Sequence, residues 1–202
     1  MDTSPSDPLS TVFEFRADLP HPAGLAAHAL KELAMYTRYL LMTTLSLAFN
    51  LFVMVTAPVW AAWAAVANLD RLPGVFAYIH THDDDIYGFV DKPATVWGRL
   101  KTACWWLWRN PGYGFDAYVL GFEAAGVQIV SDSGVVDFDR GKTVSRLVVM
   151  QAANGRRYFS YRRDQMLPGN RFAKIWIGWH WSAVDGRRHM IKIMFNPFRR
   201  VS

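Results

Sequence analysis

The chain has 202 residues, of which 51 % are hydrophobic and 19 % are charged, and its formal net charge is +5. This length allows one modest domain beside an anchoring segment, and the single cysteine, Cys104, excludes an intramolecular disulfide framework. Residues 1–139 carry 8 Lys and Arg against 15 Asp and Glu, whereas residues 140–202 carry 14 against 2. The basic C-terminal part is typical of a domain that contacts an anionic partner.

The N-terminal part of the chain divides into a polar tail and an apolar region. Residues 1–22 are polar and rich in proline, which predicts a flexible tail. Residues 23–38 have helical spacing and are predicted to continue directly into the apolar region. Together with the segment that follows, they define a predicted membrane helix region over residues 23–69.

No charged residue or histidine occurs between Tyr39 and Leu69. As a helix, this segment would measure about 45 Å, which exceeds the ~30 Å of bilayer hydrocarbon. Tyr39 at one end and Trp60 and Trp63 at the other are spaced like two interfacial aromatic belts. The pattern predicts a transmembrane or interfacial helix, and both a single crossing and a deep interfacial position fit it.

Two residues inside the segment bear on its geometry and its association. Pro58 lies near the far end, where the loss of one hydrogen bond is tolerated and a kink can turn the chain into the interface. Asn50 lies near the centre, and its amide either bonds to a second copy of the helix or is satisfied locally. The first alternative predicts a homo-oligomer formed through this helix.

Residues 70–109 are predicted to form an acidic linker and a Trp-rich amphipathic helix. The linker contains the only cluster with metal-ligand chemistry, because imidazole and carboxylate groups bind divalent ions. Its spacing matches neither an EF-hand loop nor a zincin helix. A structural role, a divalent metal site and a catalytic metal are therefore alternatives, and no other cofactor is predicted. The cluster consists of His80, His82, Asp83, Asp84 and Asp85.

The Trp-rich segment, residues 96–108, has four tryptophans with basic residues beside them. Such a helix either lies at a membrane interface or packs on the domain that follows. A glycine-rich stretch comes next and predicts a tight structural turn, with an anion cradle as the alternative reading of its Gly-x-Gly pattern. The stretch is Arg109, Asn110, Pro111, Gly112, Tyr113 and Gly114.

Residues 110–202 are predicted to form a basic antiparallel β domain. Three turn signals, Asp132-Ser133-Gly134, Asn154-Gly155 and Asp185-Gly186, predict three hairpins. Alternating apolar residues on the last two strands predict one shared face. The result is a meander of about six strands, either a curled sheet or an open barrel, and the predicted fold class is α+β. The alternating residues are Ile175, Ile177, Trp179 and Trp181 on one strand and Ile191, Ile193 and Phe195 on the other.

Arginine doublets near the predicted hairpin ends are the best evidence for a partner. Near anionic lipid each such charge contributes about 1 kcal/mol, so an anionic membrane is the predicted partner. Interleaved aromatic residues also permit nucleic acid, which is the less favoured alternative. No catalytic triad or nucleotide fingerprint is evident, and enzymatic activity is not predicted. The doublets are Arg156 and Arg157, Arg162 and Arg163, and Arg187 and Arg188.

Three stretches together resemble an uncharacterised protein family encoded by tailed bacteriophages and prophages. They are Asn50-Leu51 followed by Ala57-Pro58, the aspartates at Asp83–Asp85, and Trp106-Leu107-Trp108-Arg109-Asn110-Pro111-Gly112-Tyr113-Gly114-Phe115. The last stretch is the most specific. The resemblance covers roughly residues 47–125 and implies a phage or prophage origin and this architecture, but no activity.

The sequence as a whole predicts a phage-encoded, single-pass accessory protein of the host inner membrane. Its role is expected to be non-enzymatic, placing the basic β domain at the membrane on the cytoplasmic side. One alternative is a virion-associated protein that inserts into the host envelope during genome delivery. Another is a metal-dependent hydrolase that uses His80, His82 and Asp83–Asp85.

Overall fold

The computed structural model describes residues 22–82, 84–88, 90–135, 142–169 and 171–200, so residues 1–21 of the predicted tail lie outside the described part. Helix α1 (Pro22–Val66) is an unbroken helix of 45 residues, about 67 Å long. It continues through Pro58 and ends before Asn68, whose φ of 54° is the left-handed conformation common after a helix C-terminus. The predicted kink at Pro58 does not interrupt the helix.

Two shorter helices pack against α1. A 3₁₀ turn (Gly74–Tyr78) precedes α2 (Val96–Arg109), which begins after Thr95, because the Thr95 hydroxyl accepts a hydrogen bond from the Gly98 amide. Helix α2 runs antiparallel beside the C-terminal half of α1. Helix α3 (Tyr113–Tyr118) follows at once. The prediction assigned residues 110–202 to a β domain, but Tyr113–Tyr118 near its start are helical in the structure.

The rest of the chain forms antiparallel sheets that are not closed into a barrel, and the α+β prediction is confirmed. The strands are β1 (Phe122–Glu123), β2 (Gln128–Gly134), β3 (Val144–Gln151), β4 (Arg157–Leu167), β5 (Arg171–Trp179), β6 (Arg188–His189) and β7 (Ile191–Arg200). Strand β1 pairs with β6, and the five remaining strands form one sheet in the order β2-β3-β4-β5-β7.

Two of the three predicted hairpins are present. Asn154-Gly155 joins β3 to β4, and Asp185-Gly186 lies between β5 and β7. Six of the seven predicted apolar positions face each other across β5 and β7, since a register that respects side-chain alternation keeps them on one face. The seventh, Trp181, lies beyond the end of β5, and its ring stacks on Trp176, whose position in the strand belongs to the opposite face. The cross-strand pairs are Ile175 with Phe195, Ile177 with Ile193, and Trp179 with Ile191.

The third predicted hairpin, at Asp132-Ser133-Gly134, is wrong. These residues lie within β2, where the Asp132 carboxylate accepts two hydrogen bonds from the Arg146 guanidinium on β3, at 2.9 and 2.6 Å. Strand β2 is an edge strand, and an edge tolerates residues that a central strand excludes. The second half of that predicted hairpin, from Val136 onwards, lies outside the described residues.

The first of two hydrophobic cores joins the N-terminal half of α1 to the sheet. The Tyr39 ring lies 5.0 Å from the Phe159 ring and 5.5 Å from the Trp179 ring, and its hydroxyl donates to the Lys192 carbonyl at 3.1 Å. Only 7 % of Tyr39 is exposed. The residue predicted to mark an interfacial belt is therefore a core residue that holds α1 to the sheet.

The second core joins the C-terminal half of α1 to α2. Val53 and a row of alanines on α1 pack against Ala103 and Leu107 of α2. The small side chains let the two helix axes approach closely. Helix α1 is thus packed against the rest of the chain from Met35 to Ala65, over about 45 Å of its length.

Candidate functional site: an apolar face on helices α1 and α2

The buried residues of α1 form one stripe, at spacings of three, four and seven residues, and the opposite face is exposed and apolar. Within the described residues, this is the one helix long and apolar enough to cross a membrane, and only 17 % of its most apolar window is buried. A core helix of a soluble protein would be mostly covered. The exposed side chains include Leu40, Leu41, Leu45, Leu47, Leu51, Phe52, Val55, Val59 and Val66.

Helix α2 extends this exposed face on one side. Trp97, Trp105 and Trp108 are 63, 62 and 54 % exposed, although tryptophan is usually well covered in soluble proteins. Trp97, Trp105 and Trp108 line a shallow groove of about 390 Å³ together with Pro58, while the Lys101 ammonium lies 5.0 Å from the Trp97 ring centre. Tryptophan beside lysine is the composition of a membrane interface. Of the two predictions for this helix, packing on the β domain is wrong, since it packs on α1.

A tertiary hydrogen bond compensates for Pro58 in the middle of the face. Proline has no amide hydrogen, so the carbonyl of Met54, four residues earlier, lacks its helical donor. The Trp108 indole of α2 donates to that carbonyl at 2.8 Å. This explains why α1 stays unbroken, and it is a contact that the sequence did not reveal, although the missing donor at Pro58 was the signal for it.

The other side of the face is bordered by the 3₁₀ turn. The Phe76 ring lies 5.4 Å from both the Trp60 and the Trp63 ring, and Val75 is 68 % exposed. The Trp60 indole donates to the Thr56 hydroxyl at 2.7 Å, so its polar end is satisfied within α1. The two predicted interfacial tryptophans therefore belong to an aromatic border along the helix.

Charged groups lie at the edge of the face. Arg99 donates from Nε to the Ala65 carbonyl at 3.1 Å and so satisfies one of the last carbonyls of α1. The Lys92 ammonium contacts the Asp70 carboxylate at 2.7 Å and the Asn68 carbonyl at 2.8 Å. The α1 part of the apolar face is thus free of charge, while charged groups border its C-terminal end.

A buried polar cluster lies beneath the middle of α1. The Asp116 carboxylate of α3 accepts hydrogen bonds from Ser46 and Asn50, whose amide also donates to Ser46 at 3.3 Å. Burial raises the pKa of Asp116 to about 6, while the bonds from Ser46 and Asn50 and the charge of Lys192 oppose that rise. Asn50 therefore faces α3 of its own chain. The sequence did not identify Asp116 as its partner.

The glycine-rich turn packs against this cluster. Gly112 has a φ of 64°, and a Cβ at Gly112 would overlap the side-chain amide oxygen of Asn50. The amides of Gly112 and Gly114 donate to the carbonyls of Ile79 and His80 at 3.0 and 2.9 Å. These two amides are thereby occupied within the chain, and the stretch connects α2 to α3.

The predicted metal ligands make separate contacts. His80 is buried, donates from Nδ1 to the carbonyl of the next residue at 2.6 Å, and has a pKa lowered by burial. His82 lies 3.9 Å from the Asp185 carboxylate, and Asp85 accepts from a backbone amide at 2.7 Å. Asp83 lies outside the described residues. Among the residues that the structure describes, no three His, Cys, Asp or Glu are grouped as metal ligands.

Four of the six arginines predicted to bind an anionic partner have partners within the chain, and Arg156 and Arg187 are exposed. The sequence could not distinguish the two groups, because the partners are set by tertiary contacts. The internal hydrogen bonds join Arg157 to Glu32, Arg162 to Asp164, Arg163 to Gln165, and Arg188 to the carbonyls of Ala117 and Gly121.

The chain was compared with known proteins. A search of curated proteins and a search of solved structures each return no match. The profile of a family of unknown function matches residues 31–202, which include most of α1 and all the following elements. The chain therefore belongs to the family of unknown function DUF7338.

Proposed function

We propose that this protein attaches to a membrane surface through the apolar face of α1 and α2 and so places its basic β domain at the membrane, without enzymatic activity. The observation that carries the proposal is the uncharged, exposed side of α1, which runs from Leu40 to Val66. The exposed tryptophans of α2 and the Phe76 border are the interfacial residues expected beside such a face.

The packing of α1 favours a helix that lies in the plane of the membrane over one that crosses it. The β sheet contacts α1 at Tyr39, and α2 contacts it as far as Ala65. A perpendicular α1 would take much of α2 and α3 into the hydrocarbon together with their charges. A charge at the bilayer centre costs roughly 2.5–3.5 kcal/mol, whereas an in-plane helix leaves these groups in water.

The biological setting is part of the same proposal. The resemblance of the glycine-rich turn and its neighbours to proteins of tailed phages supports a phage-encoded protein at the host inner membrane. A single cysteine, Cys104, and a basic domain suit the cytoplasmic side of that membrane. Single-pass insertion is the alternative topology for the same anchor.

Vesicle flotation tests the attachment. Leu51, Val55 and Val59, which are 63, 72 and 64 % exposed, are changed together to Asp. Because these carboxylates would have to leave water, the triple variant should stay at the bottom of the gradient while the unchanged protein floats with the vesicles. Equal flotation of the two proteins would contradict the proposal.

The matched control places three aspartates on apolar residues of the sheet edge instead. Ile129, Val130 and Val135 are 60, 47 and 63 % exposed and belong to or directly follow β2. This variant has the same added charge and should float like the unchanged protein. Circular dichroism of both variants checks that the fold is retained.

A further inference from the structure

A cluster of cations and aromatic rings lies on the sheet face opposite α1. Side chains alternate along a strand, so Phe159, which contacts Tyr36 and Tyr39 of α1, points away from the face that carries Arg162. Residues from β3, β4 and β5 and from the segment after β5 meet on that second face. We call them the cationic–aromatic cluster: Arg146, Arg162, Lys174, Trp176, His180 and Trp181.

The rings form one stack with cations against it. The Trp176 ring lies 4.6 Å from the Trp181 ring and 4.3 Å from the His180 ring. The Lys174 ammonium lies 4.9 Å from the Trp176 ring centre, and the Arg146 guanidinium lies 5.1 Å from that of Trp181. Cation–π attraction of this kind keeps positive charge close to a flat apolar surface.

The charges of this cluster do not balance within the described chain. Arg162 is held by Asp164 with hydrogen bonds of 3.1 and 2.5 Å, and Arg146 is held by Asp132. Lys174 is only 8 % exposed, yet it makes no ion pair among the residues that the structure describes. The Asp164 carboxylate lies opposite Lys174 on β4 but is already bonded to Arg162, so two buried cations share one buried counter-charge. Such an imbalance is costly and requires an explanation.

The surroundings of Lys174 add further positive charge. Burial lowers the pKa of Lys174 to about 8, the charges of Arg162, Arg199 and Lys192 lower it too, and Asp164 opposes them. A bound anion would supply the missing negative charge.

We propose that the cationic–aromatic cluster binds single-stranded nucleic acid, with a phosphate near Lys174 and a base against the Trp181 side of the ring stack. The cluster extends across three adjacent strands, a width of about 10 Å, which is larger than a single phosphate group. Stacking rings beside cations is the pattern by which proteins bind single strands with little sequence preference. Arg162, Lys174 and Trp176 are buried, so a ligand would reach the cluster through the partly exposed Arg146, His180 and Trp181.

The test measures binding of a fluorescein-labelled single-stranded oligonucleotide to the full chain in nonionic detergent, by fluorescence polarisation. Lys174→Met should reduce affinity and lower the slope of log affinity against log salt by about 0.7, the value for one phosphate contact on a single strand. Trp181→Ala should weaken binding roughly 5- to 150-fold. The matched controls Arg156→Met and Arg187→Met remove exposed charges outside the cluster and should change affinity less than about twofold.

A stability measurement separates a binding role of Lys174 from a structural one. If Lys174 serves a ligand, Lys174→Met removes a buried charge that Asp164 compensates only in part, and Tm of the free protein should rise. A lower Tm would assign Lys174 to the fold and overturn the proposal. So would undetectable binding, equal loss in the Arg156 and Arg187 variants, or a mononucleotide that competes as well as the oligonucleotide. Because detergent replaces vesicles, none of these results depends on membrane attachment.

Discussion

Replacing Trp108 by Phe removes the indole donor that compensates for Pro58. The hydrogen bond to the Met54 carbonyl is 2.8 Å long, and a bond of this kind contributes about 0.5–1.5 kcal/mol net. Trp108→Phe should therefore lower the free energy of unfolding by about 1 kcal/mol in detergent. In a bilayer the loss should be larger, because no water can replace the donor. Urea unfolding followed by circular dichroism measures the first value.

Trp108→Phe in a Pro58→Ala background shows whether the Trp108 indole replaces the donor that Pro58 lacks. The alanine of that background supplies a backbone amide to the Met54 carbonyl, so Trp108→Phe should then cost about 1 kcal/mol less than it does beside Pro58. Trp105→Phe is the matched control, since Trp105 is 62 % exposed and its indole makes no hydrogen bond among the described residues. The reasoning would be refuted by an equal cost of Trp108→Phe in both backgrounds, or by equal costs of Trp105→Phe and Trp108→Phe.

Three further changes have defined outcomes. The raised pKa of Asp116, about 6 against 3.8, means that its stabilising contribution is present below pH 3.8 and is lost as pH rises through 6. Asp116→Asn should remove this dependence and stabilise the fold at pH 7 by up to about 3 kcal/mol, as measured by urea unfolding across pH. Gly112→Ala should cost about 2–4 kcal/mol, because its Cβ overlaps Asn50, whereas Gly155→Ala, with a φ of 77° and open space, should cost about 1. Oligonucleotide affinity should fall between pH 7 and 9 as Lys174, with its pKa of about 8, loses its proton, and the polarisation assay should show no such fall in Lys174→Met.

Each of these outcomes has a clear opposite. A stability that does not depend on pH between about 4 and 7 would show that Asp116 keeps its ordinary pKa. Equal costs of the two glycine substitutions would show that Gly112 does not contact Asn50. An affinity that falls equally with pH in both proteins would place the titrating group away from Lys174.

Local signals in the sequence predicted much of the β domain. Asn154-Gly155 forms its hairpin because both the turn residues and the flanking alternation favour it. Asp132-Ser133-Gly134 carries a similar signal, but Asp132 instead pairs with Arg146 along an edge strand. The competing interaction lies on another strand, so no reading of the segment alone could reveal it.

Long-range contacts account for what the sequence did not predict about α1. Tyr39 has the composition and spacing of an interfacial residue, but Phe159 and Trp179 bury its ring. Pro58 leaves the Met54 carbonyl without its helical donor, and a tryptophan of α2 supplies a donor instead. The length and apolarity of the helix were evident from the sequence, whereas which side of it is covered depends on packing.

The position of α1 relative to the membrane is tested most directly by thiol labelling at two sites. Asp91, before α2, and Arg156, in the β3–β4 hairpin, are both exposed, and each is changed to Cys in a Cys104→Ser background. A membrane-impermeant maleimide is applied to membrane vesicles of one orientation. An in-plane α1 predicts that both sites react from the same side of the membrane. Reaction from opposite sides would show that α1 crosses the bilayer and would contradict the account.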